Sequence, residues 1–287
     1  MKKTNRMSVR TAVLLVAALL LLSMGTYTGV RALPNITSDL YRAHFYLNHL
    51  QVHLLENGED VCSGENTLDG ATKVTGRLAT ELGYKSDSEL GSVEPGKIYK
   101  EEIAAENGQD ISQFVRMTIR KYWVETDEDG NVVTTTDASG KTVPKKTTAL
   151  SPSLIHLMND GKEACDPAWQ EVTQERTTES RTYIYTKLLP GRSGNNRSVT
   201  EPVFRQLQID KSVAKVEDEP EVTKDGNKTI YTYIYKYDGY AFFIEADVQA
   251  IQTHNAQDAI ESQWGPYYTA TYNLNDDGTE SGSLSVR

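Results

Sequence analysis

Cysteine is scarce in this 287-residue chain, with two residues, and so are the large apolar aromatics, with five Phe and three Trp. Signature catalytic motifs are absent as well. No Gly-x-Ser-x-Gly elbow occurs, so a serine nucleophile has no recognisable seat. The segment Gly91–Gly96 lacks a following Gly-Lys-Ser/Thr and carries Glu94 where an anion would sit, which excludes a phosphate loop. His49 and His53 stand four apart, but Leu50 and Gln51 follow the first histidine where a His-Glu-x-x-His zinc site needs glutamate. On a strand the pair would stand about 13 Å apart, too far for one zinc. With His44 they are read as ordinary sheet-face residues, and no metal or cofactor is expected.

Basic charge is also in short supply. The formal net charge is −10, and the five basic residues of 1–31 are unaccompanied by any acid, which leaves 25 Lys and Arg against 40 Asp and Glu beyond them. A remainder at −15 repels nucleic acid and anionic lipid at long range, so nucleic acid is excluded as an expected partner.

What the chain does have is an export address. Lys2, Lys3, Arg6 and Arg10 precede an uncharged run from Thr11 to Val30 with its apolar centre at Ala12–Leu22. That order of charge and hydropathy is read by the secretion machinery, which places the remainder outside the cytoplasmic membrane, extracellular or at the cell surface. Val30 and Ala32 have the small-residue spacing of a signal peptidase site, with Ser23 and Gly25 as a second candidate. Cleavage near Ala32 is the preferred reading of residues 1–32; retention as a membrane anchor is the alternative. In an oxidising compartment Cys62 and Cys165 are most simply one disulfide, and two unpaired thiols are the other reading.

Alternating polarity dominates the rest. Gln113–Val124 sets Val115, Met117, Ile119 and Trp123 on one side, and Tyr240–Ala250 sets Phe242, Ile244, Ala246 and Val248 on one side with Glu245, Asp247 and Gln249 on the other, which predicts one buried face and one wet face. The run Thr229–Tyr237 meets Tyr240–Ala250 across Asp238-Gly239, a pair suited to a type I′ hairpin turn. Further strands are expected at 97–106, 182–188 and 203–209, and at 40–55 with a bulge, ended by Asn57-Gly58. Short helices are expected at 151–159 and 255–264, the second capped by Asn255 and stopped by Gly265-Pro266. The fold class is therefore mainly β: an antiparallel, jelly-roll-like β-sandwich over 33–272, with exposed insertions near 126–148 and 217–228 and a polar C-terminal tail at 273–287, mobile or adding an edge strand at Ser283–Val286.

Two features invite a binding role. Tyr231, Tyr233, Tyr235 and Tyr237 form a stripe that could stack on sugar faces, although alternating tyrosines on a half-buried strand also serve cross-strand packing. Asp127–Asn131 and Asn275–Gly278 resemble fragments of a calcium loop but lack its terminal bidentate Glu, and read as hairpin tips.

The order of features resembles the TasA and camelysin family of Gram-positive exported proteins. The resemblance rests on the basic export segment, Glu56-Asn-Gly58, Val93-Glu-Pro-Gly-Lys97 leading into a strand, Asn107-Gly108 and Val115-Arg-Met-Thr-Ile119. It implies a sandwich used in extracellular fibres or biofilm matrix. Camelysin-like members are classed as metalloproteases, but no zinc motif here supports that activity. The expectation is a noncatalytic surface or matrix subunit that self-associates, or joins other surface proteins, through strand edges, with the segment 38–55 as the suspected donated strand. A ligand- or glycan-binding surface module is the alternative, and the metalloprotease a lesser one.

Overall fold

Turn residues cut the chain into short segments of alternating polarity, and most of these segments are strands. The structure, a computed structural model, describes residues 51–287 apart from 69–70, 87–89, 195, 217–219 and 226–227. The first nine strands are β1 (Val52–Glu56), β2 (Glu59–Asp60), β3 (Cys62–Leu68), β4 (Ala71–Arg77), β5 (Ile98–Asn107), β6 (Gln113–Glu125), β7 (Thr134–Thr136), β8 (Thr142–Pro144) and β9 (Lys146–Thr147). They are followed by β10 (Ile155–Met158), β11 (Trp169–Glu171), β12 (Ser180–Tyr185), β13 (Ser198–Val199), β14 (Phe204–Ile209), β15 (Glu221–Asp225), β16 (Lys228–Thr232) and β17 (Tyr240–Gln252). A helix, α1 (Ala256–Trp264), leads into the closing hairpin of β18 (Tyr268–Leu274) and β19 (Glu280–Val286).

Two antiparallel sheets make the sandwich. One runs in the order β10, β14, β5, β1, β2, with β13 also on β5; the other runs β11, β12, β6, β17, β4, β3, with β9 also on β6. Their facing sides share one core, in which Leu54, Ile103 and Leu207 of the first sheet meet Met117, Phe242 and Val248 of the second. Burying such side chains contributes roughly 1.5–3 kcal/mol each. The expected strands at 97–106, 113–124, 182–188, 203–209 and 240–250 are all present, within a few residues at their ends.

The partner expected for the Phe-rich strand is not the one it takes. β17 pairs with β6 over its whole length, from Tyr240 opposite Glu125 to Gln252 opposite Gln113, and with β4 on its other side. The tyrosine run is instead split: β16 forms a separate hairpin with β15, and Tyr237–Tyr240 is a turn. The physical reason is core supply. Every residue of β16 is exposed, whereas β6 brings an apolar inward face that matches β17 residue for residue.

Three other expectations change. Residues 151–159 hold a short 3-10 turn at Pro152–Leu154 followed by β10, because Ile155 and Leu157 alternate into the core and the segment pairs with β14 before the turn at Asp160-Gly161. The outer face of β17 is covered as well as the inner one. Asp247 is 4% exposed and accepts hydrogen bonds from Arg120 (2.7 Å) and Thr75 (2.7 Å), with Lys73 at 2.8 Å. Finally, the tail at 273–287 is structural rather than mobile, and the strand considered at Ser283–Val286 is present and longer, as β19. β19 pairs with β18, and Leu284 joins Phe114, Ile184, Ile260, Trp264 and Tyr268 in a second core on the outside of the larger sheet.

Helix α1 begins where expected, but Asn255 sits at φ 49° and caps no amide with its side chain. The two insertions are exposed hairpins, β7 with β8 and β15 with β16. The expected export segment 1–32 with its expected cleavage site at Ala32, together with His44, His49 and residues 38–50 of the suspected donated strand, lie outside the described residues.

Candidate functional site

The most concentrated chemistry lies on the first hairpin. Asn57 and Gly58, at φ 51° and 92°, make its two-residue turn, the conformation Asn-Gly favours. Glu56 then stands opposite Glu59 and Leu55 opposite Asp60, and the Val61 amide donates to the Leu54 carbonyl at 3.0 Å. Continuing that register puts Cys62 across from His53. Because residues two apart on a strand share a face, Asp60 joins them.

The three side chains do converge. His53 Nδ1 lies 2.6 Å from Asp60 Oδ2, and one donor atom from each of His53, Asp60 and Cys62 falls within 4.8 Å of the others. Backbone amides fix the arrangement: Cys62 N donates to Asp60 Oδ1 at 2.9 Å, and Leu54 N donates to Cys62 Sγ at 3.2 Å. Partial burial acts to raise the Asp60 carboxyl, but hydrogen bonds from Cys62 and then His53 outweigh it and hold the group below the usual carboxylate range. Taken as an ordinary sheet-face residue and weighed only against His44 and His49, His53 gave no pointer in the sequence to Asp60 and Cys62. The hairpin register of Asn57-Gly58 was the signal that leads to them.

Cys62 also opens β3, the margin of the larger sheet. β3 pairs with β4 on one side, and among the described residues no strand lies on its other side. Leu68 faces Ala71 across a two-residue connection, so the alternation of an antiparallel ladder turns the backbone groups of Glu65 and Thr67 away from β4. Cys165 is remote from this strand. It precedes β11, at the opposite margin, five strand spacings or roughly 24 Å away. No disulfide joins the two residues, and the expected bridge is corrected on that ground: Cα atoms must approach within about 7 Å. Cys165 Sγ instead donates to the Trp169 carbonyl at 3.4 Å, and burial raises its thiol.

The sandwich interior is open at one end. A cavity of about 360 Å³ lies there, walled by Tyr84, Trp123, Tyr237, Tyr240 and Phe242 and bordered by the 90–95 loop. Trp123 Nε1 donates to the Ser151 carbonyl at 3.0 Å, and Tyr84 packs on Phe242 with ring centroids 4.4 Å apart. Of the tyrosine stripe only Tyr237 reaches this wall; Tyr235 stacks against it at 5.7 Å, and Tyr231 and Tyr233 stand apart, at least half exposed. The stripe is therefore not one platform.

Two ionisable groups inside the sandwich were not singled out in the sequence. Glu101 of β5 is fully buried beside the buried Glu56 of β1. The Ala79 amide donates to Glu101 at 3.0 Å, and the Thr80 amide to Glu56 at 2.9 Å. Burial, then the charge of Glu56, pushes the Glu101 carboxyl well above its ordinary value, so it is the protonated member of the pair. Lys121 occupies an inward position of β6 and donates to the Ile155 carbonyl in the opposite sheet; burial, then Arg181, brings its amine down to about 8.

The loop at Asp127–Asn131 closes on itself. Asp127 Oδ1 accepts from the amides of Asp129 (3.0 Å) and Asn131 (2.8 Å), which is a hairpin tip. Asp277 likewise accepts from the Thr279 amide at 2.9 Å. Comparison with known proteins found no matching family model, no matching curated protein and no matching solved structure.

Proposed function

We propose that this protein is an exported, noncatalytic subunit of the cell surface or extracellular matrix, and that copies of it, or other surface proteins, associate through strand edges. The observation that carries the reading is the β3 margin: its regular part, Gly64–Leu68, beyond a register shift after Cys62, has no proline, lysine or arginine to blunt the edge. Backbone pairing there supplies affinity without a specific side-chain code. The basic-apolar N-terminus and the turn motifs shared with TasA- and camelysin-like proteins support the same reading. Part of the suspected donated strand is already committed, since Val52–Glu56 pairs with β5 and buries Leu54. A donated strand would therefore come from upstream of Val52.

The test is assembly. Sedimentation of the processed protein should show concentration-dependent oligomers, and proline at Glu65 and Thr67, which removes two outward amides and no β4 pairing, should abolish them. A protein that is monomeric at every concentration, or double-proline oligomers equal to the parent's, would overturn the reading.

A second reading has its own observation. The aromatic walls of the 360 Å³ cavity suit a small apolar or sugar ligand, and Tyr237→Ala should weaken any glycan retained by the protein.

A further inference from the structure

We propose that His53, Asp60 and Cys62 form a binding site for a borderline-soft divalent cation of the zinc class. The donor set decides the class. An imidazole nitrogen, a thiol sulfur and a carboxylate oxygen are the three ligand types zinc accepts, whereas calcium and magnesium select oxygen alone. Geometry is close to what binding requires. Bonds of about 2.0–2.3 Å to a tetrahedral ion place donor atoms roughly 3.3–3.8 Å apart. The three donors already lie within 4.8 Å of one another, so shifts of about an ångström complete the site. The His53 Nδ1–Asp60 Oδ2 pair, at 2.6 Å, opens as the ion takes the place of the shared proton, and any separation near the 4.8 Å limit closes.

The scaffold is built for little further movement. His53 is paired to Glu106 on β5, Asp60 to Leu55 across the hairpin, and Cys62 to Gly76 on β4. The Leu54 amide on Cys62 Sγ and the Cys62 amide on Asp60 act as outer-shell donors that aim the ligands. Arg197 is the cation that faces the hairpin, and its charge is taken up by a two-pronged pairing with Glu106. Partial exposure of His53 and Asp60 gives the ion a path in, and three protein ligands leave one coordination place for water. The site is independent of the assembly reading, since none of its ligands depends on a second copy.

The experiment uses a Cys165→Ser background, so that Cys62 is the only thiol. Titration of the purified protein with Co²⁺ as the probe should give one equivalent bound and a thiolate-to-cobalt charge-transfer band in the near ultraviolet, displaced by Zn²⁺. Cys62→Ser should lose the band, and His53→Ala should weaken binding at least about 100-fold. Protection of Cys62 from alkylation by excess Zn²⁺ provides a readout with all three ligands intact, whatever the folding of the variants. No band, a band that persists in Cys62→Ser, unchanged affinity in His53→Ala, or unprotected Cys62 would each overturn the proposal.

Discussion

Truncation of Leu284 to alanine tests whether the C-terminal hairpin belongs to the fold. Leu284 is 1% exposed, against the ring of Trp264 and the buried Tyr268, Ile260 and Phe114. Removing its three outer carbons forfeits about 2.4 kcal/mol of transfer free energy, at roughly 0.8 kcal/mol per methylene. The space left behind adds to this, and buried Leu→Ala changes span roughly 2–5 kcal/mol. The hairpin lies on the outside of the larger sheet and can settle inward, so the lower half of that range applies, about 3 kcal/mol. Leu274, on the partner strand and 63% exposed, is the internal control and should change stability by no more than about 0.5 kcal/mol on truncation. Urea unfolding followed by tryptophan fluorescence gives both numbers, with Trp264 reporting from the affected cluster. Equal midpoints for Leu284→Ala and Leu274→Ala would refute the assignment of this hairpin to the core, and would restore the mobile tail that the polar sequence suggested.

Two buried ionisable groups give opposite dependences on pH. The Glu101 carboxyl titrates in the folded state above its ordinary 4.5, so its contribution is full below about pH 4.5 and is lost as pH rises through the folded value. Glu101→Gln keeps a donor toward Glu56 and needs no proton, so its melting temperature should exceed the parent's at neutral and higher pH; parallel curves of melting temperature against pH would contradict this. For Lys121 the folded value, about 8, lies below the ordinary 10.5, so the cost of the buried charge is full below pH 8 and is relieved as pH rises toward 10.5. That difference corresponds to at most about 3 kcal/mol. Lys121→Met should be the more stable protein at pH 7 by about 1–3 kcal/mol, after loss of the hydrogen bond to Ile155, with the gap closing above pH 8. A less stable Met variant throughout would sink the argument.

How much of this was legible in the sequence follows from what period-two patterning encodes. Alternation identifies a strand and its inward face, so β5, β6, β14 and β17 and most of their core residues were readable. It does not name a partner. Asp238-Gly239 marked a turn correctly, but pairing followed the apolar face of β6, which is more than a hundred residues upstream of β17. Polar composition misled at 273–287 for a related reason: one buried leucine, Leu284, is enough when α1 supplies the opposing surface. The His53 cluster was hidden because helical and strand spacing compare residues along one segment, whereas these ligands face each other across a turn. Counting outward from Asn57-Gly58 would have found Cys62. Glu101 and Lys121 carried no local sign, since burial of a charge depends on the sheet laid over it.

The position of β17 between β4 and β6 sets an order of events for a chain that emerges N-terminus first. Ile251 pairs with Ala71, about 180 residues earlier, and Gln252 with Gln113. The strand that joins the halves of the larger sheet is therefore among the last to be made, and until it arrives β4 and β6 each hold an open edge. Loop closure over such a separation is slow and entropically costly. A chain stopped before Tyr240 would carry all of the flanking strands and none of the joint. Completion of the fold is thus tied to the last 48 residues, Tyr240–Arg287, without which the larger sheet stays in two halves.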